Sequence, residues 1–322
     1  MRGAIVALAA LLSSCTVGPD YGRPPVETPA AYRFSQATAQ AVADTGWWQG
    51  FDDPVLSSLV DEALRNNLDV QIAAARVDAF LGAYVTTRSA LFPQVAISPA
   101  FPVQAARQRG SRISTPQVVP GSVSTEYSTY QAGLTASWEI DLWGKVRRRT
   151  EAARADVWAN EEARRGIVLS VAANAAAGYV ALRDLDRRLQ IAHETERSRF
   201  DSLELFRKRF AGGVISQLEL AQVTSEYEAA VAAIPNYEAQ IARQETALSL
   251  LLGRNPGAIA RGKAIDELTP IPIPAGLPSE LLDRRPDVRE AEQQLISANA
   301  QIGAAKALYF PSISLTGAFG AV

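Results

Sequence analysis

The chain has 322 residues, 48% hydrophobic and 20% charged, with a net charge of −2 at pH 7. That length suits two ordinary domains or one elongated one, and the near-neutral balance gives no electrostatic footprint for a nucleic-acid partner. One Cys and one His exclude a disulfide framework and a thiolate metal cluster, and His193, in the charged stretch LQIAHETERSRF, reads as a solvated helix residue and not a catalytic one.

Residues 1–14 are expected to be a signal peptide: Arg2 gives a basic start, residues 3–12 are apolar, and small residues follow. The stretch Leu12-Ser13-Ser14-Cys15 resembles the bacterial lipobox, which implies that Cys15 carries lipid and becomes the first residue after cleavage. Thr16 follows it and not Asp, and by the same resemblance this favours the outer membrane. A plain signal peptide with a chance Cys is the alternative. Beyond residue 15 no uninterrupted apolar run reaches about 18 residues, so no second membrane helix is expected. Residues 15–66 form an N-terminal segment in which Trp47, Trp48 and Phe51 read as packing residues.

From residue 67 the period becomes helical. Val70, Ala73, Val77, Phe80, Tyr84 and Leu91 follow a 3-4 spacing, with Thr87 as the polar exception, and predict a helix over 67–92. After Pro93 the period is two: Val95, Ile97, Pro99, Phe101 and Val103 share one face of a strand at about 94–104. A polar loop, 105–126, leads to a second strand, about 128–142, in which Tyr130, Ala132, Leu134, Ala136, Trp138, Ile140 and Leu142 alternate with polar or small residues. Such strands suit a transmembrane barrel. A soluble sandwich alternates as well, and the lipoprotein signal favours the barrel.

Two long helices follow. Residues 146–210 contain no Pro, and Val168, Val171, Ala175, Gly178, Leu182, Leu185 and Leu189 again step 3-4, a register resumed by Leu203, Phe206 and Phe210. After FAGGVIS, the helix 214–252 repeats the step from Leu220 through Tyr227, Ile234 and Ile241 to Leu251, with Pro235 as an expected kink. A sustained seven-residue repeat predicts left-handed supercoiling against neighbours. At about 1.5 Å per residue the long helix spans roughly 100 Å, and helices 67–92 and 214–252 about 39 and 58 Å. Residues 253–283 read as a linker.

Residues 284–319, RRPDVREAEQQLISANAQIGAAKALYFPSISLTGAF, then align without gaps on 66–101. Asp69 meets Asp287, Phe92-Pro93 meets Phe310-Pro311, and Phe101 meets Phe319. The chain is therefore read as a first repeat, 67–283, and the start of a second, 284–322, each a helix running into a strand. Strands standing on a tube of helices suggest a conduit, and an inert coiled-coil stalk is the alternative.

The stretches CTVGPDYGRP, WWQGFDDPVLSSLVDEALRNNLDV, WEIDLWGKVRR, LLGRNPG and LPSELLDRRPDVREAEQQLISANAQIGAAKALYFPSISLTG, in this order, resemble the outer membrane factor (outer membrane efflux protein) family, in particular its lipoprotein members serving resistance–nodulation–division pumps. The resemblance implies a mainly α fold with transmembrane β-strands: long coiled-coil helical hairpins forming a periplasmic α-barrel, joined to an outer-membrane β-barrel, in a homotrimer. It implies passive, gated conduction of a pump's substrates outward, with a periplasmic adaptor, an inner-membrane pump and outer-membrane lipid as partners. No enzymatic activity and no cofactor are implied, and neither a phosphate loop nor a ligand cluster is seen.

Carried onto this chain, the resemblance makes Cys15 the lipid attachment site. It makes RFAGGVISQLEL the periplasmic hairpin tip, with Arg209, Gly212, Gly213, Val214 and Ser216 toward the adaptor. Gly212-Gly213 also reads as a plain helix C-cap. Asp141 and Gly144 mark the strand-to-helix transition. Members of the family continue past the second FP strand into a further strand and hairpin, so the second repeat is expected to be a truncated copy. A chain of 322 residues is then expected not to conduct by itself, since a spanning sheet must close. A non-conducting periplasmic lipoprotein, a pseudogene-like fragment and a duct for secreted proteins remain as alternatives. An envelope hydrolase is disfavoured because no nucleophile–base pair is visible.

Overall fold

The computed structural model describes residues 16–29, 46–98, 132–269 and 278–321. A 3₁₀ turn at Trp47–Phe51 precedes α1 (Pro54–Asn66), α2 (Leu68–Ser89), β1 (Gln94–Ser98), β2 (Ala132–Ile140), α3 (Lys145–Ala211) and α4 (Gln217–Leu251). Two further 3₁₀ turns, Ile265–Glu267 and Pro278–Glu280, lead to α5 (Leu281–Arg284), α6 (Pro286–Ala307) and β3 (Ile313–Ala321). The backbone divides into two compact units. Of the described residues, one comprises 16–23, 80–98, 132–157 and 293–321, and the other 24–29, 46–79, 158–269 and 278–292.

Several boundaries differ from the sequence reading for local reasons. The helix predicted over 67–92 is α2, Leu68–Ser89. Asn67 separates it from α1: its side-chain oxygen accepts the N–H groups of Asp69 (2.9 Å) and Val70 (3.2 Å) and so caps α2. At the other end the amides of Ala90, Leu91 and Phe92 bond three residues back, and Pro93 has no amide to continue the helix. The helix predicted over 214–252 begins at Gln217, because residues 212–216 form a turn and a cap, and it runs through Pro235 to Leu251. The helix predicted over 146–210 is one residue longer at each end. The strand predicted over 128–142 is described as Ala132–Ile140 and stops there because Asp141 turns to the next helix. Of the strand predicted over 94–104, Gln94–Ser98 is described, and the remainder, with loop 105–126, lies outside the described residues.

The three strands form one antiparallel sheet in the order β1-β2-β3. Val95 pairs with Ala136, Leu134 with Phe319, Trp138 with Leu315 and Ile140 with Ile313. Directly opposed residues share a face, so one face carries Val95, Leu134, Ala136, Trp138, Ile140, Ile313, Leu315 and Phe319. Thr135, Ser137, Glu139, Ser314 and Thr316 occupy the other. The apolar face is open: Val95, Leu315 and Phe319 are 66%, 61% and 83% exposed.

The helical unit buries the seam that the 3-4 spacing predicts. Leu56, Leu59, Val60 and Ala63 of α1 pack against Val171, Ala172, Ala175, Ala176, Tyr179 and Leu182 of α3, with Leu248, Leu252 and Ile259 completing the core. Each fully buried Leu contributes about 1.5–3 kcal/mol. Trp47, Trp48 and Phe51 pack at its margin. The pairing of α3 with α4 continues through Phe200 on Tyr227, ring centroids 5.8 Å apart, and the ion pair Arg199–Glu226 at 2.5 Å. By length and composition α3 contains a window apolar enough to cross a membrane, although no uninterrupted apolar run there reaches about 18 residues. Its Ala-rich side is the one packed into this core. His193 is exposed, as expected of a solvated side chain.

Candidate functional site

Two places concentrate the residues singled out in the sequence. The first is the reversal between α3 and α4. The Gly213 amide bonds Phe210 O (2.9 Å) and the Val214 amide bonds Arg209 O (2.9 Å), a Schellman pairing that satisfies the last carbonyls of α3. Gly213 occupies the left-handed region, φ +69°, where a Cβ carries a steric cost. Three residues later Ser216 opens α4 with a capping box. Its hydroxyl accepts the Glu219 amide (3.3 Å), and the Glu219 carboxylate accepts the Ser216 amide (2.7 Å) and hydroxyl (2.8 Å). Gly212-Gly213 is therefore a helix end, and it makes the sharp reversal between α3 and α4.

The tip presents apolar side chains to solvent. Val214 is 75% and Leu218 68% exposed, and the Arg209 guanidinium lies 5.7 Å from the centre of the Phe206 ring. The backbone hydrogen bond from Ser216, followed by the one from its hydroxyl, holds the Glu219 carboxyl below the usual Glu range. A depressed folded pKa favours the charged form in the fold, so this contribution is present above the unfolded pKa and is lost as the pH falls through the folded one. Amide exchange at 217–220 is therefore expected to accelerate on acidification below the ordinary Glu range, relative to the intrinsic rate. Glu219→Gln should abolish that pH dependence, and an identical profile in both proteins would refute the role given to the carboxylate.

The second place is the passage from β2 to α3. The Asp141 carboxylate accepts the Arg147 amide (2.8 Å) in the first turn of α3, and the Arg147 guanidinium returns to the Asp141 carbonyl (3.0 Å). Gly144, φ +78°, makes the corner, and a Cβ there would stand 2.8 Å from Thr16 Cγ2. Lys145 pairs with Glu139 across the corner. Two Trp side chains fix the neighbouring helix-to-strand passages. Trp138 Nε1 donates to Leu91 O (3.1 Å), and Trp143 Nε1 donates to Pro311 O (2.9 Å) while its ring stacks on Phe310 at 4.6 Å. Each of the two FP sequences thus has its own Trp. Cys15, the lipid attachment residue of the sequence reading, lies outside the described residues.

A third cluster was not found from sequence. Asp53 is 1% exposed. One oxygen caps α1 through the amides of Val55 (2.8 Å) and Leu56 (3.3 Å). The other accepts the Tyr179 hydroxyl (2.9 Å) and the Lys263 amide (3.1 Å). The Gly262 amide in turn donates to the Tyr179 oxygen at 2.7 Å, and a Cβ on Gly262 would collide with the Asp53 carboxyl. Burial pushes the Tyr179 phenol up, and Asp53 adds to the effect. Arg261 extends the network to Asp186 (3.0 Å) and Glu245 (2.5 Å). The signal available was the run Asp52-Asp53-Pro54, an N-cap before a Pro at the first helical position. Nothing local indicated its partners 126 and 210 residues away. Every polar group in the cluster has a structural partner, and among the described residues no group of three or more His, Cys, Asp or Glu is placed to hold a metal ion.

Comparison with known proteins gives a consistent result. The family model described as "Outer membrane efflux protein" matches residues 59–254 and 277–321. The probable efflux pump outer membrane protein TtgC of Pseudomonas putida is 34% identical over 329 residues, covering 99% of this chain and 66% of that protein. The cation efflux system protein CusC of Escherichia coli O157:H7 is 35% identical over 318 residues, covering 97% of this chain and 65% of that protein. Among solved structures, the open state of the Neisseria gonorrhoeae MtrE outer membrane channel superposes with a TM-score of 0.81 at 31% identity, covering 96% of this chain and 67% of that one. The chain thus spans about two thirds of the length of the relatives it matches.

Proposed function

Because the chain belongs to the outer membrane efflux protein family, we propose that it is part of the outer-membrane channel subunit of a tripartite efflux system. In this reading the channel passively conducts drugs or other small molecules delivered by an inner-membrane pump and a periplasmic adaptor. The observation that carries the reading is the sheet. One face is apolar over all three strands, the other is polar or small, and β2 passes within five residues into a 67-residue helix. Apolar residues facing lipid and polar residues facing a lumen are the alternation of a membrane barrel. A sheet spanning hydrocarbon must close, because unpaired backbone groups there cost several kcal/mol each.

The subunit acts as a homotrimer in the outer membrane, anchored through lipid on Cys15. A single acyl chain holds weakly, at about 0.8 kcal/mol per buried CH₂, so stable anchoring takes more than one. The α3–α4 tip, with Val214 and Leu218 bare and Arg209 beside them, is the adaptor contact. Energy comes from the pump, and the chain itself supplies a path. The test is deletion of the encoding gene in its host. Accumulation of a fluorescent efflux substrate such as ethidium is expected to rise, and to return to normal on complementation. Unchanged accumulation and unchanged drug sensitivity for every pump substrate tried would reject the reading.

A further inference from the structure

Residues 16–20 lie along a groove made by the start of α3 and the second half of α6. The Val17 amide donates to Trp143 O (3.1 Å), and Asn299 Nδ2 donates to Pro19 O (3.0 Å). Arg148, whose side chain is only 6% exposed, bonds Asp20 at 2.6 Å and Glu151 at 2.9 Å. The approach is close enough to require bare backbone. A Cβ on Gly303 would stand 2.7 Å from Val17 O and 2.9 Å from Arg148 Cγ, and Gly18 presses directly on the Gly303 backbone.

The internal repeat makes these contacts informative. Moving Asn299 and Gly303 back by the 218-residue offset gives Leu81 and Val85 of α2. Leu81 has no side-chain amide to offer the Pro19 carbonyl. Val85 would place a branched side chain where even a single Cβ does not fit. Both are exposed, at 46% and 57%. The two helices share their 3-4 pattern and differ where the N-terminal segment is read.

We propose that Thr16–Asp20 is a repeat-selective strap: it recognises α6 of the second repeat and not α2 of the first, and by tying α6 to the start of α3 it holds the β2-to-α3 corner at Trp143 and Gly144. Selectivity comes from Asn299 and Gly303. The hold on the corner comes from the Val17–Trp143 hydrogen bond, from Thr16 against Gly144, and from Arg148, which takes its bond to Asp20 from the first turn of α3.

Hydrogen exchange read by mass spectrometry on the detergent-solubilised full chain tests both parts. Gly303→Val, which gives the second repeat the residue of the first, is expected to raise exchange in the peptide 16–22 at least about tenfold, with a parallel rise in 141–148. Asp20→Ala, at a side chain 90% exposed and with Glu151 left to pair Arg148, is expected to raise strap exchange by a smaller factor in the same two peptides. Peptides from the core around 171–182 should stay as in the parent protein. If they do not in Gly303→Val, Asp20→Ala alone decides. Unchanged strap exchange in Asp20→Ala, or in a folded Gly303→Val, overturns the strap. A released strap with an unchanged 141–148 overturns its hold on the corner.

Discussion

Asp53→Ala is expected to destabilise the helical unit by about 3–7 kcal/mol. The loss of an N-cap costs about 1 kcal/mol. The Tyr179 hydroxyl and the Lys263 amide would each lose their acceptor in a buried place, at about 1–3 kcal/mol apiece. The change also frees the stretch 259–264, which Asp53 and Tyr179 jointly hold against α1 and α3. Tyr179→Phe should cost less, about 1–2 kcal/mol, since it removes one hydroxyl and leaves the cap intact. Denaturant midpoints on the purified proteins give the comparison. A loss below about 1 kcal/mol for Asp53→Ala would mean that water replaces the carboxyl without penalty, and that the cluster does not hold 259–264 against α1 and α3.

In a full-length version of the subunit, extended to the length of its relatives, Gly213→Leu is expected to abolish export while leaving assembly intact. No atom lies within 4 Å of a Cβ at this position, so the side chain meets no neighbour. The cost is conformational, about 1–2 kcal/mol for a non-glycine residue at positive φ, and a local shift of the turn relieves it. That shift re-aims Val214 and Ser216, the part of the tip proposed to meet the adaptor. Gly213→Asn, which tolerates the left-handed region better, should retain much of the export. Normal drug export by Gly213→Leu, measured beside an unchanged oligomer on native gels, would remove the tip from the docking role.

Local patterns in the sequence were sufficient for most of the fold. The 3-4 spacing in α3 and α4 picked the buried or half-buried positions almost residue by residue, from Val171 to Leu251, because a coiled helix pair buries whatever recurs at that period. Alternation around Leu134 and Trp138 identified the apolar face of the sheet for the same kind of reason. Phe80 and Phe210, which share the helical spacing, are 39% and 40% exposed; spacing gives a direction around the helix and says nothing of what lies there. Helix ends were off by up to three residues where side chains decided them, as at Asn67 and Ser216. The tip and the corner were visible through Gly213, Asp141 and Gly144, whose roles are local. The Asp53 cluster and the strap were not, because both depend on contacts between residues more than 100 positions apart.

The register of the sheet has a consequence for how the chain acquires it. β1 and β3 are the same element of the two repeats, 218 positions apart, and they bind opposite edges of β2. With Val95 matching Ile313, each strand is chemically acceptable on the other's edge, so composition alone guards poorly against a swapped order during folding. Chain connectivity supplies the guard. Only 33 residues separate β1 from β2, whereas 172 separate β2 from β3, and the shorter closure is favoured in the unfolded chain by about 1.5 kcal/mol. The near strand therefore claims its edge first, and the α3–α4 hairpin forms locally before the far strand reaches the sheet. β3 then arrives at a sheet with a single free edge on β2. Duplicated halves are thus kept in order by timing, where their sequences are too alike to do so.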